Sequence, residues 1–106
     1  MSRIAIKICG ITTPQALDAA IGAGANTVGF VFFGKSPRNI DPAQAGALVR
    51  RINGQARAVG LFVDPDPEYV HEVSAIANLD VLQLHGGESP ALVAKVAATA
   101  GLPVWK

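Results

Sequence analysis

One cysteine, one methionine, one tryptophan and one tyrosine occur among 106 residues, and aromatic side chains make up only 6%. A lone cysteine excludes an internal disulfide, so the chain is no disulfide-stapled scaffold and suits a reducing compartment. Charge is scarce too: 16% of residues carry it, and nine Lys+Arg against eight Asp+Glu leave a net charge of +1. No basic stripe exists beyond Arg50-Arg51, which argues against a nucleic-acid partner. No stretch approaches the roughly 18 apolar residues that span a bilayer. Met1-Ser2-Arg3-Ile4 lacks the apolar core and cleavage site of a signal peptide. No membrane partner is therefore expected, and a cytoplasmic address follows. What is plentiful is apolar character, at 50% of residues, with a mean hydropathy of +0.34. That excludes a disordered chain. It is also high for so small a protein, because a domain of this size leaves much of its surface in water. Either the chain packs very efficiently or it hides apolar surface against something else.

Four short segments are almost purely apolar and rich in branched residues: Ile4–Cys9, Thr27–Phe33, Arg57–Val63 and Asp80–Leu84. A fifth, Pro103–Lys106, reaches the last residue. Such runs indicate strands buried on both faces, the pattern of parallel sheets. Between them lie four helix-like segments, opened by Thr13-Pro14, Asp41-Pro42, Asp66-Pro67 and Ser89-Pro90. In each pair an oxygen can accept an orphan N–H, and proline at the first helical position loses nothing. Ala45, Leu48, Val49 and Ile52 form a helical stripe, and Gly24 and Gly101 fall where the first and fourth helices should end. The strand starts, at 4, 27, 57, 80 and 103, step by 23, 30, 23 and 23. This is a βα repeat of four units with a fifth strand begun. The longer second step holds an expanded loop, Gly34–Ile40, on the strand-end side where α/β proteins place their sites.

An open doubly wound sheet and part of a closed (β/α) barrel both fit this order. No G-x-G-x-x-G fingerprint is present. Side-chain alternation favours the barrel. Ala5, Lys7 and Cys9 oppose Ile4, Ile6 and Ile8, while Val81, Gln83 and His85 oppose Leu82 and Leu84. In the third segment Ala58, Gly60 and Phe62 oppose Val59, Leu61 and Val63. A bulky aliphatic face suits a cover of helices; a face of small and polar residues suits a barrel interior.

Cys9 ends the first strand on the inward face and meets Gly10. Its thiolate is a competent base or nucleophile, although at a free pKa of about 8.5 little is ionised near neutrality. The alternative is an inert buried thiol. Lys7 lies two residues away on the same face; it either favours the thiolate or pairs structurally with a carboxylate. Arg38, in the expanded loop, is either a bidentate carboxylate clamp or a solvated charge. Gln83 and His85 could hydrogen-bond a ligand or complete a polar network at the mouth. Asp64-Pro65-Asp66-Pro67 reads as turn and cap, and Glu88 as a first-turn charge at a helix start. No metal-ligand spacing occurs.

Lys7-Ile8-Cys9-Gly10-Ile11-Thr12 resembles the first-strand signature of the phosphoribosylanthranilate isomerases. Gly29-Phe30-Val31-Phe32 with Ser36-Pro37-Arg38-Asn39-Ile40, Val59–Asp64, and Leu82-Gln83-Leu84-His85-Gly86 followed by Glu88 resemble the later blocks, in family order. The resemblance implies a TIM-type (β/α)8 barrel enzyme of tryptophan biosynthesis. Such an enzyme converts N-(5-phosphoribosyl)anthranilate into 1-(2-carboxyphenylamino)-1-deoxyribulose 5-phosphate, an Amadori rearrangement without cofactor. In the family an aspartate acid opens the ribose ring and a cysteine takes the C2 proton. Cys9 matches that base, and Arg38 matches the arginine that holds the anthranilate carboxylate.

A full barrel takes about 200 residues or more. Residues 1–106 therefore read as a single incomplete barrel domain, the N-terminal half, without the aspartate acid or the phosphate site. The expected partners are a small phosphosugar substrate and either a missing C-terminal half or a second copy, since open strand edges invite pairing. The fragment alone is expected to be inactive. Two other readings stand beside this one: a non-catalytic half-barrel that self-assembles, and another phosphosugar barrel enzyme.

Overall fold

Each helix begins where a capping side chain precedes proline. A computed structural model describes residues 6–106. It contains β1 (Lys7–Cys9), α1 (Pro14–Gly22), β2 (Thr27–Val31), α2 (Pro42–Ile52), β3 (Arg57–Phe62), α3 (Pro67–Ala77), β4 (Val81–Leu84), α4 (Pro90–Ala100) and β5 (Val104–Trp105). Thr13 accepts the Ala16 N–H at 3.1 Å, Asp41 that of Ala43 at 3.0 Å, Asp66 that of Glu68 at 3.1 Å, and Ser89 that of Leu92 at 3.1 Å. Every start thus satisfies an orphan donor. Gly101 closes α4 at φ 69, as expected. α1 is capped by Ala23, with the left-handed Gly24 one residue on. α2 and α3 end on Asn53 and Asn78, also left-handed. Asn tolerates that conformation better than most residues.

The strands pair in parallel in the order β1-β2-β3-β4-β5. This is the architecture of a βα repeat in which every crossover has the same hand. Observed strands are shorter than the apolar segments. The first two residues of Ile4–Cys9 lie outside the described residues. Asp80 falls just before β4, where its carboxylate accepts the Ala58 N–H at 2.8 Å in place of a ladder partner. The expanded loop folds back on β2: Asn39 bridges Val31, and buried Ile40 donates to the Val31 carbonyl at 3.0 Å.

Register assigns the two faces. Lys7, Thr27 and Arg57 form one row, and Cys9, Gly29, Val59 and Val81 form the next. Val31, Leu61, Gln83 and Trp105 form a third. The opposite face supplies Ile8, Val28, Phe30, Ala58, Phe62, Leu82 and Leu84 to one core beneath the helices. In β1 and β4 this matches the alternation read from sequence. In β3 it corrects it, because Ala58, Gly60 and Phe62 face the helices while Val59 and Leu61 face away. The reason is space. A Cβ on Gly60 would lie 2.4 Å from Leu79 Cδ1 and 3.0 Å from the Phe62 ring. Glycine there admits a helix-side leucine and the Phe32–Phe62 stack, whose centroids are 5.4 Å apart.

At the carboxyl edge of the sheet one carboxylate joins three chain segments. Glu88 is buried, with its side chain 0% exposed. It accepts the N–H of Asp64, after β3, at 2.8 Å, and that of Gly86, after β4, at 2.9 Å. Lys106, after β5, donates to Glu88 and to the Gly86 carbonyl. Glu88 is therefore no first-turn surface charge. It precedes the α4 cap and turns inward beneath the loops. Burial pushes its carboxyl pKa upward. The Lys106 ammonium and the backbone N–H groups of Asp64, Glu88 and Gly86 outweigh this and bring it from 4.5 to about 2.

Two predictions follow from this packing. Alanine for an interior helical glycine ordinarily stabilises by about 1 kcal/mol. At Gly46 in α2 the new Cβ would stand 2.8 Å from the Ile76 carbonyl oxygen of α3, which is backbone and cannot rotate away. Gly46→Ala should therefore lower stability by about 1–2 kcal/mol in urea denaturation; a gain would refute the close α2–α3 approach. Glu88 has its folded pKa depressed. Its contribution is full above the ordinary value and is lost as pH falls toward about 2. Between about pH 5 and 2, denaturation series should show the natural chain losing about 2–3 kcal/mol more stability than Glu88→Gln loses over the same range. Parallel pH curves for the two would contradict the clamp.

Candidate active site

Cys9 is the last residue of β1, at the carboxyl edge of the sheet. It is half-buried, and its register neighbour is Gly29. A Cβ on Gly29 would come within 2.7 Å of the Cys9 sulfur. The thiol therefore occupies the place of a neighbouring side chain and leans across β2. Gly10 follows at φ +83, and the N–H groups of Gly10 and Ile11 both donate to the Gly29 carbonyl, at 2.9 and 3.1 Å. The left-handed turn stops the strand and leaves Cys9 at its tip.

Arg38 reaches this point from the β2–α2 loop. Ser36 Oγ accepts the Arg38 N–H at 3.1 Å, which sets the turn. The side chain then lies along Gly10. A Cβ there would meet Arg38 Cδ at 2.4 Å and Nε and Nη1 at 3.2 Å. Two glycines thus give room to a cysteine from one element and an arginine from another at the same strand end. An exposed guanidinium can hold a carboxylate through paired N–H bonds.

Lys7 and Gln83 also come together, but with each other. Lys7 Nζ donates to Gln83 Oε1 across β2 and β3. Nζ also stands 5.8 Å from the centre of the Trp105 ring. The carboxylate partner considered for Lys7 is an amide oxygen and an aromatic face instead. His85 lies just beyond β4, exposed, its N–H donating to the Phe62 carbonyl at 2.9 Å.

Two residues at this edge carry more than their sequence context suggested. Asp66 is the α3 cap as expected, but Asp64 is not simply a turn residue. It adopts φ 44, and its carboxylate oxygens lie 2.8 Å from where a Cβ of Gly86 would stand. Gly86 makes room for that carboxylate. Aspartate's tolerance of the left-handed region was the available signal. Glu88 is the second, with no local signal at all.

Among the described residues no three His, Cys, Asp or Glu side chains converge as metal ligands. No described helix is long and apolar enough to cross a membrane. A cleft of about 250 Å³ lies at the amino edge, bordered by Asn53, Gly54, Asn78 and Asp80, on the far side of the sheet from Cys9.

The family model for N-(5'-phosphoribosyl)anthranilate (PRA) isomerase matches residues 6–106. The N-(5'-phosphoribosyl)anthranilate isomerase of Paracoccus denitrificans is 50% identical over 103 residues, covering 97% of this chain and 48% of that protein. The enzyme of the same name from Sinorhizobium fredii is 48% identical over 101 residues, covering 95% and 45%. Among solved structures, mutually generated monomers of the dimeric isomerase from Thermotoga maritima superpose with a TM-score of 0.89 at 36% identity, covering 98% of this chain and 52% of that one. A phosphoribosyl anthranilate isomerase in complex with reduced 1-(o-carboxyphenylamino)-1-deoxyribulose 5-phosphate gives a TM-score of 0.90 at 35% identity, covering 96% and 52%. The chain spans about half the length of the curated relatives it matches. A family match over nearly all of its residues, on the same fold, means that the chain belongs to the N-(5'-phosphoribosyl)anthranilate isomerase family.

Proposed function

We propose that this chain is the base-bearing half of a phosphoribosylanthranilate isomerase barrel, a single incomplete (β/α)8 domain over residues 1–106. The observation that carries the reading is the Arg38 side chain laid over Gly10, next to Cys9. The substrate, N-(5-phosphoribosyl)anthranilate, carries a carboxylate ortho to the amine that bears the sugar. A guanidinium gripping that carboxylate sets the sugar's first carbons beside the thiol.

The chemistry then needs an acid and a base. An acid protonates the ribose ring oxygen; the ring opens to a Schiff base between C1 and the anthranilate nitrogen. The Cys9 thiolate takes the proton from C2, and the electron pair flows into the C1–C2 bond to give an enolamine. Tautomerisation delivers the 2-ketone. The thiolate at the strand end is the proton acceptor in this reading. Lys7, Gln83 and His85 line the same side of the sheet and support the mouth. The acid and the phosphate anchor belong to the complementary half in this reading, since the family's aspartate and phosphate loops follow later strands than β1 to β5. No cofactor is required. A cytoplasmic address fits a small-molecule enzyme with a free thiol.

The expected result is negligible turnover by the 106-residue chain alone. Activity should appear when it is combined with the half of the Paracoccus denitrificans relative that it does not match. In that complex Cys9→Ala should cost about 10²–10⁴ in kcat. Arg38→Ala should raise KM about tenfold to a hundredfold, in line with losing a charged hydrogen bond. Turnover by the isolated chain that survives Cys9→Ala would overturn the assignment.

A further inference from the structure

We propose that the helix-free face of the sheet is a docking surface for acid-bearing strands, which set carboxylates against Lys7 and Arg57. The proposal rests on the half-barrel reading and says what the complementary half must carry.

Lys7 and Arg57 occupy one register row, separated only by Thr27. Both are exposed. The Trp105 ring leans over the row, 5.8 Å from Lys7 Nζ and 5.9 Å from Arg57 Cζ. Two cations therefore stand against one aromatic ring, and Lys7 alone also has an amide oxygen, that of Gln83. Among the described residues no carboxylate joins them. The chain has eight acidic residues, and none falls on a strand row of this face. They sit on helices, caps and loops. Asp80 is bound to the Ala58 N–H, and Glu88 is locked beneath the loops.

This arrangement is adequate in water and poor under a cover. Removing water from an unpaired cation is costly. A shared ring returns only a fraction of that cost. A purely apolar occupant is therefore refused. A second copy docking by a twofold axis would set this cationic row against itself, where like charges repel. Strands carrying carboxylates satisfy both cations. Room for them exists, because β1 and β5 are the end strands of the sheet, each with one unpaired ladder. The relatives of known length are about twice as long as this chain.

The test measures association by sedimentation and titration calorimetry, with the unmatched half of the Paracoccus denitrificans relative as probe. Lys7→Gln/Arg57→Gln should weaken the complex at least tenfold and flatten its salt dependence. Unchanged affinity, with activity still restored, would overturn the charge claim and leave the half-barrel reading standing. If the probe does not bind at all, the half-barrel reading fails. The charge claim is then decided on the chain itself. An equimolar mixture of the natural chain with its Lys7→Glu/Arg57→Glu variant should associate at least tenfold more tightly than the natural chain with itself. Equal affinities would overturn the claim. Circular dichroism checks that each variant is folded, and the single exposed substitution Arg57→Gln, expected to weaken binding severalfold, serves if the double variants are not.

Discussion

Glu88 takes a full negative charge out of water and is tolerated only because three donors meet it there. Those donors are the amides of Asp64 and Gly86 and the ammonium of Lys106. They belong to the segments after β3, β4 and β5 respectively. Parallel strands bring their carboxyl ends to one edge, but the ladder itself does not fix the loops beyond. A buried, charge-assisted set of hydrogen bonds does. The left-handed Asp64, the close approach of its carboxylate to Gly86, and the departure of α4 all depend on that carboxylate remaining ionised.

The other half of the edge is set by absence of side chains. Gly29 gives the Cys9 sulfur its space, and Gly10 gives Arg38 its bed. Methyl groups at either place would push apart the base and the carboxylate-binding group that the proposed reaction needs together. The same device recurs away from the chemistry. Gly60 admits Leu79 and the phenylalanine stack, and Gly46 lets α2 touch the backbone of α3. The edge that holds Cys9 is therefore rigid on two counts, through a buried charge on one side and close backbone approach on the other. At the start of the strands lies the opposite condition, two exposed cations that no carboxylate of the described residues meets.

Local physics was the legible part of the sequence. Oxygen-bearing caps before Pro14, Pro42, Pro67 and Pro90 act within one turn, so four helix starts could be read directly. The apolar runs marked five strands, and their spacing marked the repeat. Non-local physics was not legible. Small residues in β3 looked like a barrel interior, yet Gly60 is small because a leucine and two aromatic rings arrive from elsewhere in the chain. Asn53 and Asn78 end α2 and α3 in the left-handed conformation that Gly101 gives α4, and no glycine marks those two ends in the sequence. Glu88 looked like any acid near a helix start, because Asp64 and Lys106, two of its three partners, lie 24 and 18 residues away. Lys7 required a partner, but nothing local pointed to Gln83, 76 residues away. Cys9 and Arg38 stood out by position and by family resemblance. That Arg38 lies over Gly10, the residue after Cys9, needed coordinates.

The account turns on Glu88 holding the strand-end loops in place, and amide hydrogen exchange at Asp64 and Gly86 tests that most directly. Both amides donate to one buried carboxylate, so both should exchange at least tenfold slower than open loop amides. In Glu88→Ala both should lose that protection together, while the β2 and β3 ladder amides keep theirs. Exchange at unprotected rates for Asp64 and Gly86 in the natural chain would contradict the account.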